Sequence, residues 1–238
     1  MSTEEQRELV DSAALRPSER SVLGRAVASR RAADPDPARA AALDFRDTLM
    51  PVLPDFPRTG HYRVIYADPP WTFVTRSPKG KGRSAERHYG CMTIDEIMAL
   101  PVASWAADDA VLLLWTTKPM LPRALEVIVA FGFTYKTIGF TWAKTTAAGD
   151  RFPIGMGFWT RANPEPCLLA TRGAPKRKSA AVPELIISPR REHSRKPDEA
   201  YERIEALVDG PYLEMFARHR RPGWDAWGDE VPADGRNR

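Results

Sequence analysis

Cysteine is nearly absent. The 238-residue chain has two, Cys91 and Cys167, far apart and without His or Cys neighbours at metal-ligand spacing. That excludes a disulfide framework, gives no zinc pattern and points to a reducing, intracellular compartment. Long apolar runs are missing too: the longest, Ala110 to Trp115, is far short of the ~20 residues that cross a bilayer. The opening residues MSTEEQRELV lack a positive stretch followed by an apolar core, so no secretory leader is expected, and the protein reads as cytoplasmic with no membrane partner. No internal repeat is visible. An extreme charge is also lacking, since 35 Lys and Arg face 31 Asp and Glu for a net +4. That small excess fits a polyanionic partner without requiring one.

With 43% hydrophobic residues, the chain can build one domain with a sizeable core. Residues 1–60 are rich in Ala, Arg, Asp and Glu, poor in aromatics and broken by Pro35, Pro37, Pro51, Pro54 and Pro57. They are expected to be an arm, partly helical or disordered, ahead of a domain over 61–238. From Tyr62 the texture changes. YRVIYAD reads as a core strand stopped by prolines. Thr93 to Leu100 reads as a helix with a Thr93/Glu96 capping box and Pro101 as terminator. AVLLLWTT is a second buried strand, and Pro119 to Phe131 a helix closed by Gly132. YKTIGFTWAK, PCLLATRG and ELIIS follow as strands, Pro197 to Val208 as an amphipathic helix, and YLEMFA as the last strand. Such alternation predicts an α/β fold with a doubly wound, mostly parallel sheet, whose ligands sit beyond the carboxyl ends of the strands.

Asp68, Pro69, Pro70 and Trp71 fall directly after the first core strand, where such a sheet places its chemistry. The residue types suit an exocyclic amine of adenine, a poor nucleophile because its lone pair is delocalised into the ring. The Asp68 carboxylate can accept one amine hydrogen and the Pro69 carbonyl the other, orienting the nitrogen in a dry pocket. Trp71 offers a face for a flipped base, an interaction worth roughly 1–3 kcal/mol. Taken alone, Asp-Pro-Pro also reads as an ordinary strand-ending turn beside a core Trp.

The segments YRVIYADPPW, HYGCMTIDEI, AVLLLWTT, GFWTRANPEPCLLATRG, EHSRKPDEAYERIE and YLEMFARHRRPGWDAWGDE occur in order over Tyr62 to Glu230. In them the chain resembles the family of the eukaryotic mRNA N6-adenosine methyltransferase and its bacterial and phage DNA-methylating relatives. The resemblance implies a Rossmann-like methyltransferase of permuted motif order that uses S-adenosylmethionine. It implies catalytic roles for Asp68, Pro69, Pro70 and Trp71. Phe216 and Arg218 would then lie beside the cofactor, Lys196 would reach its charged or polar end, and Asp229 and Glu230 its ribose. Relatives commonly carry Asn where this chain has Asp229, and either side chain can accept a ribose hydroxyl. Trp159, Arg161, Asn163 and Glu165 would lie on the substrate side, with ordinary turn chemistry around Asn-Pro as the alternative reading.

Two basic stretches bear on the partner. Arg76, Lys79, Lys81, Arg83 and Arg87 crowd the loop after the catalytic turn, which reads as a lid with His88 and Tyr89 near the pocket. Arg172, Lys176, Arg177, Lys178, Arg190, Arg191, Arg195 and Lys196 form a second group, expected to flank the same pocket and meet phosphates. The partner is therefore expected to be nucleic acid, DNA ahead of RNA on the whole motif series and the compact size without an obvious partner subunit, although no motif reads the 2′-hydroxyl that would separate the two. The alternatives are the same reaction on RNA, and an inactive relative that only binds nucleic acid. No metal is implied, and a monomer or homodimer is expected.

Overall fold

The alternating aromatic and β-branched side chains of YRVIYA make β1 (Tyr62–Ala67). It ends at Asp68, where two prolines supply no ladder donors. In the computed structural model, the described residues are 57–58, 60–71, 92–155, 157, 159–191 and 195–231. All lie in one unit, Val52–Arg238. The arm expected over 1–60 falls almost wholly outside them, as do His88, Tyr89 and the basic loop 76–87.

Local signals set the next elements. Helix α1 (Ile94–Met98) carries the expected capping box, with the Thr93 hydroxyl accepting from the Glu96 N–H at 3.2 Å and Glu96 Oε2 accepting from the Thr93 N–H at 2.6 Å. After α2 (Val102–Trp105) comes the long strand β2 (Ala106–Trp115). A single 3-10 turn, Lys118–Met120, absorbs Pro119 and leads into α3 (Leu121–Ala130). Gly132, at φ 80°, closes α3: its N–H bonds the Val129 carbonyl and the Phe133 N–H the Ile128 carbonyl, each at 3.0 Å. This left-handed cap favours glycine. The chain continues as β3 (Thr134–Thr145), β4 (Glu165–Arg172), β5 (Leu185–Pro189), α4 (Asp198–Leu207) and β6 (Tyr212–Met215). A further strand, β7 (Trp224–Trp227), follows. The expectation that YLEMFA is the last strand is thus corrected: WDAW is too short to show a period, and its partner β6 supplies the ladder.

Among the described residues the strands form one sheet in the order β5-β3-β4-β2-β1-β6-β7. β1 is parallel to β2 and β6, β6 to β7, and β3 to β5, while β4 runs against both β2 and β3. Six strands therefore point one way and β4 alone returns. The carboxyl ends of the six and the first residue of β4, Glu165, meet at one end of the sheet.

Both faces are covered. Ile65, Leu112, Leu114, Leu168 and Leu213 pack with Ala124, Val127 and Ile128 of α3, while Val64, Tyr66, Leu113, Phe140 and Ile186 pack with Ala200 and Ile204 of α4. Each such aliphatic side chain contributes roughly 1.5–3 kcal/mol by leaving water. α4 lays its buried residues on the second face and starts at the carboxyl end, which delivers Lys196 there. Among the described residues no helix is long and apolar enough to cross a membrane.

Candidate active site

Side chains alternate along β1, so Asp68 continues the face of Val64 and Tyr66, the one that α4 covers. Lys196 lies just before α4, whose N-cap is Pro197. Its ammonium donates to Asp68 Oδ2 at 2.6 Å and lies 3.5 Å from Glu165 Oε2. The other oxygen of Glu165 accepts from Lys144 Nζ on β3. Asp68, Lys196, Glu165 and Lys144 thus form a chain of alternating charge across the sheet end. Two indoles floor it: Lys196 Nζ is 5.5 Å from the Trp115 ring centre and Lys144 Nζ 4.9 Å from that of Trp142. The Lys196 side chain is only 8% exposed, so its charge depends on these partners.

Electrostatics favour the charged forms of Lys196 and Glu165. Burial works against the Lys196 ammonium, but Asp68 and Glu165 outweigh it and raise its pKa. Burial likewise pushes Glu165 up, yet Lys196 and Lys144 hold it below the ordinary carboxylate range. Glu214, on β6 beside Tyr66, behaves differently. Among the described residues it has no cationic hydrogen-bond donor; burial lifts its pKa to about 7, the Tyr201 hydroxyl bonded at 2.6 Å opposes that lift, and the nearby Asp68 charge adds to it.

The expected residues divide into those gathered at this end and those given other work. Asp68 Oδ2 holds Lys196, leaving Oδ1, among the described residues, for a ligand. The Pro69 carbonyl accepts the Trp71 N–H at 2.8 Å and the Pro70 carbonyl the Met92 N–H at 3.1 Å, so Pro69 keeps one lone pair. Trp71 departs from the expected stacking platform. It is 5% exposed, packs in the core and donates its indole N–H to the Trp115 carbonyl at 3.0 Å; an amphipathic ring gains more from that burial than from facing solvent. Asn163 also departs from reading a base: its side chain accepts from the Lys144 N–H at 3.0 Å and donates to the Lys144 and Pro153 carbonyls at 2.9 and 2.7 Å. It staples the root of the β3–β4 connection. Glu165 sits at that root, while Trp159, wholly exposed, and Arg161 lie out towards its tip, beyond the Gly155–Ala162 bridge.

At the far side of Asp68, β6 is followed by Phe216 at φ 60°, a left-handed conformation that costs a non-glycine residue on the order of 1 kcal/mol or more. Its peptide lies against Gly228, where a Cβ would come within 2.4 Å of the Ala217 carbonyl oxygen. That close approach brings the exposed Asp229 and Glu230 alongside, and Arg218 Nε lies 3.5 Å from Glu230 Oε1. The second basic group is split. Arg190, Arg191, Arg195 and Lys196 share the carboxyl end. Arg172, aligned with Ala110 near the start of β2, and the following Lys176, Arg177 and Lys178 lie at the opposite end, because β4 runs backwards. Their expected place beside the pocket is corrected accordingly.

Sequence reasoning missed Lys144, Glu214 and Tyr201. A faint signal existed for Lys144, two positions from Trp142 on a buried strand and so on its face.

Comparison with known proteins follows the same span. A family model described as MT-A70 matches residues 62–230. A type II methyltransferase, M.MunI of Mycoplasma sp, is 31% identical over 200 residues, covering 77% of this chain and 83% of the relative. The N(6)-adenosine-methyltransferase MT-A70-like protein of Arabidopsis thaliana is 30% identical over 193 residues, 79% of this chain and 25% of the relative. The N(6)-adenosine-methyltransferase catalytic subunit METTL3 of Homo sapiens is 29% identical over 177 residues, 72% and 28% respectively. The chain spans most of the bacterial protein and about a quarter of the plant and human ones.

Proposed function

The chain belongs to the MT-A70 family, and on that premise we propose that it transfers a methyl group from S-adenosylmethionine to N6 of adenine in DNA. The observation that carries the reading is Asp68 at the carboxyl end of β1, tied through Oδ2 to a buried lysine, with Oδ1 left open among the described residues. The donor set suits this cofactor. Lys196 supplies a cation for a carboxylate, and Asp229 and Glu230 supply acceptors for ribose hydroxyls. The buried Trp227 indole N–H, at the end of β7 with its ring 5.8 Å from that of Phe216, has no acceptor among the described residues.

When bound, S-adenosylmethionine supplies an electrophilic methyl carbon. The chain's own residues do the rest. Asp68 Oδ1 and the Pro69 carbonyl accept the two amine hydrogens and turn the nitrogen lone pair out of conjugation with the ring. Lys196 holds Asp68 in one rotamer through Oδ2, which leaves Oδ1 to meet the amine. Trp71 fixes the tetrapeptide by anchoring it to β2. A base in a duplex must leave its stack to arrive here. Trp159 and Arg161, at the exposed tip, meet a neighbouring base and a phosphate; His88 and Tyr89, outside the described residues, are further candidate substrate contacts. Residues 61–238 are the catalytic domain, acting as a cytoplasmic monomer or homodimer.

DNA is preferred because the chain covers most of the type II methyltransferase M.MunI but only about a quarter of the adenosine-methylating relatives. RNA is the second reading, favoured by the adenosine-methylating names of the eukaryotic relatives. Purified protein with labelled S-adenosylmethionine is expected to label adenine-containing DNA oligonucleotides more than matched RNA. Preference for RNA would replace the first reading with the second, and label on neither would end both.

A further inference from the structure

Lys196 stands between two carboxylates, and something decides which one it serves. Its ammonium is 2.6 Å from Asp68 and 3.5 Å from Glu165, an unequal division although both acceptors are close and Asp68 is the more exposed of the two. The difference lies one step further along the chain of charges. Glu165 already has a cation of its own in Lys144, so it draws less on Lys196. Two ammoniums and two carboxylates then balance, each carboxylate with one nearest cation. Lys144 is itself fixed in place. Its peptide N–H and carbonyl are both bonded by Asn163, and its Nζ sits over Trp142.

We infer that Lys144 is a positioning residue for methyl transfer, holding Glu165 so that Lys196 is left to orient Asp68. Without it three charged groups remain, with two carboxylates competing for one ammonium. Lys196 then shifts toward Glu165, and Asp68 is released from the partner that sets its rotamer. Lys144 acts through Glu165 and Lys196, and the role rests on the adenine-methylating reading given above.

The decisive comparison is Lys144→Gln against the double variant Lys144→Gln/Glu165→Gln in the full chain, both checked for folding by thermal melting. Lys144→Gln is expected to lower kcat about tenfold, with the KM for the oligonucleotide held within about twofold. Lys144→Arg, which keeps the charge, is expected to restore most of the rate. The double variant removes the competing carboxylate along with its cation, so it is expected to be several-fold faster than Lys144→Gln alone, a non-additivity that a simple packing defect does not produce. A wild-type kcat in Lys144→Gln, or a double variant no faster than the single, overturns the inference. Should the wild-type protein methylate neither DNA nor RNA, the functional reading fails separately. A crystal structure of Lys144→Gln then decides this one: Lys196 closer to Glu165 than to Asp68 upholds it, and an unchanged 2.6 Å separation from Asp68 overturns it.

Discussion

The two ends of the sheet carry similar side chains in opposite circumstances. At the carboxyl end, Asp68, Lys196, Glu165 and Lys144 are largely shielded from water and pair with one another. At the other end, Lys178 meets Asp209 at 3.0 Å with both side chains about half exposed, and Arg172 donates to the Ala103 carbonyl. Exposed pairs like the latter contribute roughly 0–1 kcal/mol, whereas taking one partner from a buried set strands the other's charge. A basic residue's meaning here comes from the end of the sheet it occupies, which the direction of β4 decides.

The most severe way to break the contrast is Asp68→Ala. Methyl transfer per folded molecule is expected to fall by about a thousandfold or more, as read by label incorporation into an adenine-containing oligonucleotide, with melting temperature lowered because the buried Lys196 loses its nearest partner. Lys196→Met comes next, because it leaves Asp68 and Glu165 without their shared cation. It is expected to cost about 3–5 kcal/mol in denaturant unfolding and to weaken S-adenosylmethionine binding by calorimetry.

Glu214→Gln sharpens the contrast within the carboxyl end, since among the described residues Glu214 is the one carboxylate there whose pKa is lifted, to about 7, rather than held down. Its folded pKa exceeds the unfolded value, so the wild type loses stability as pH rises from near the ordinary carboxylate range through about 7. The glutamine keeps an acceptor for Tyr201 but has no proton to lose. The variant is expected to be more stable than wild type by about 1–3 kcal/mol at pH 8, the gap closing by pH 4; an equal gap at both values refutes the assignment. The smallest effect compares the two basic groups. Replacing Arg161 and Arg190 by Gln is expected to reduce the slope of log affinity against log salt by about one for each phosphate no longer neutralised. The same change at Lys176 and Arg177 is expected to leave that slope as it is.

What could be read in advance was what is encoded locally. β1, β2 and β3, the Thr93/Glu96 box and the Gly132 cap all follow from side chains within a few positions of one another. The reversal of β4 does not, because a strand's alternation is the same in either direction; placing Arg172 far from the pocket required its pairing with Ala110. Lys144 was hidden for a related reason. Its partner Glu165 lies 21 positions away, brought near only by the register that sets Trp142 opposite it. Asp68 and Lys196 were legible through resemblance, while their direct hydrogen bond, 128 positions apart in sequence, was not. Trp71 and Asn163 show the converse: polar and aromatic groups beside a pocket are as readily used to build it as to line it.

The three hydrogen bonds of Asn163 have a consequence for how such a protein diversifies. They tie off the excursion between β3 and β4 at its base, so the outermost residues can lengthen, shorten or change composition while the reaction centre keeps its shape. On the proposed function, target preference and bond-making chemistry then become separable traits, and a tip transplanted between relatives above this knot is expected to carry its choice of sequence with it.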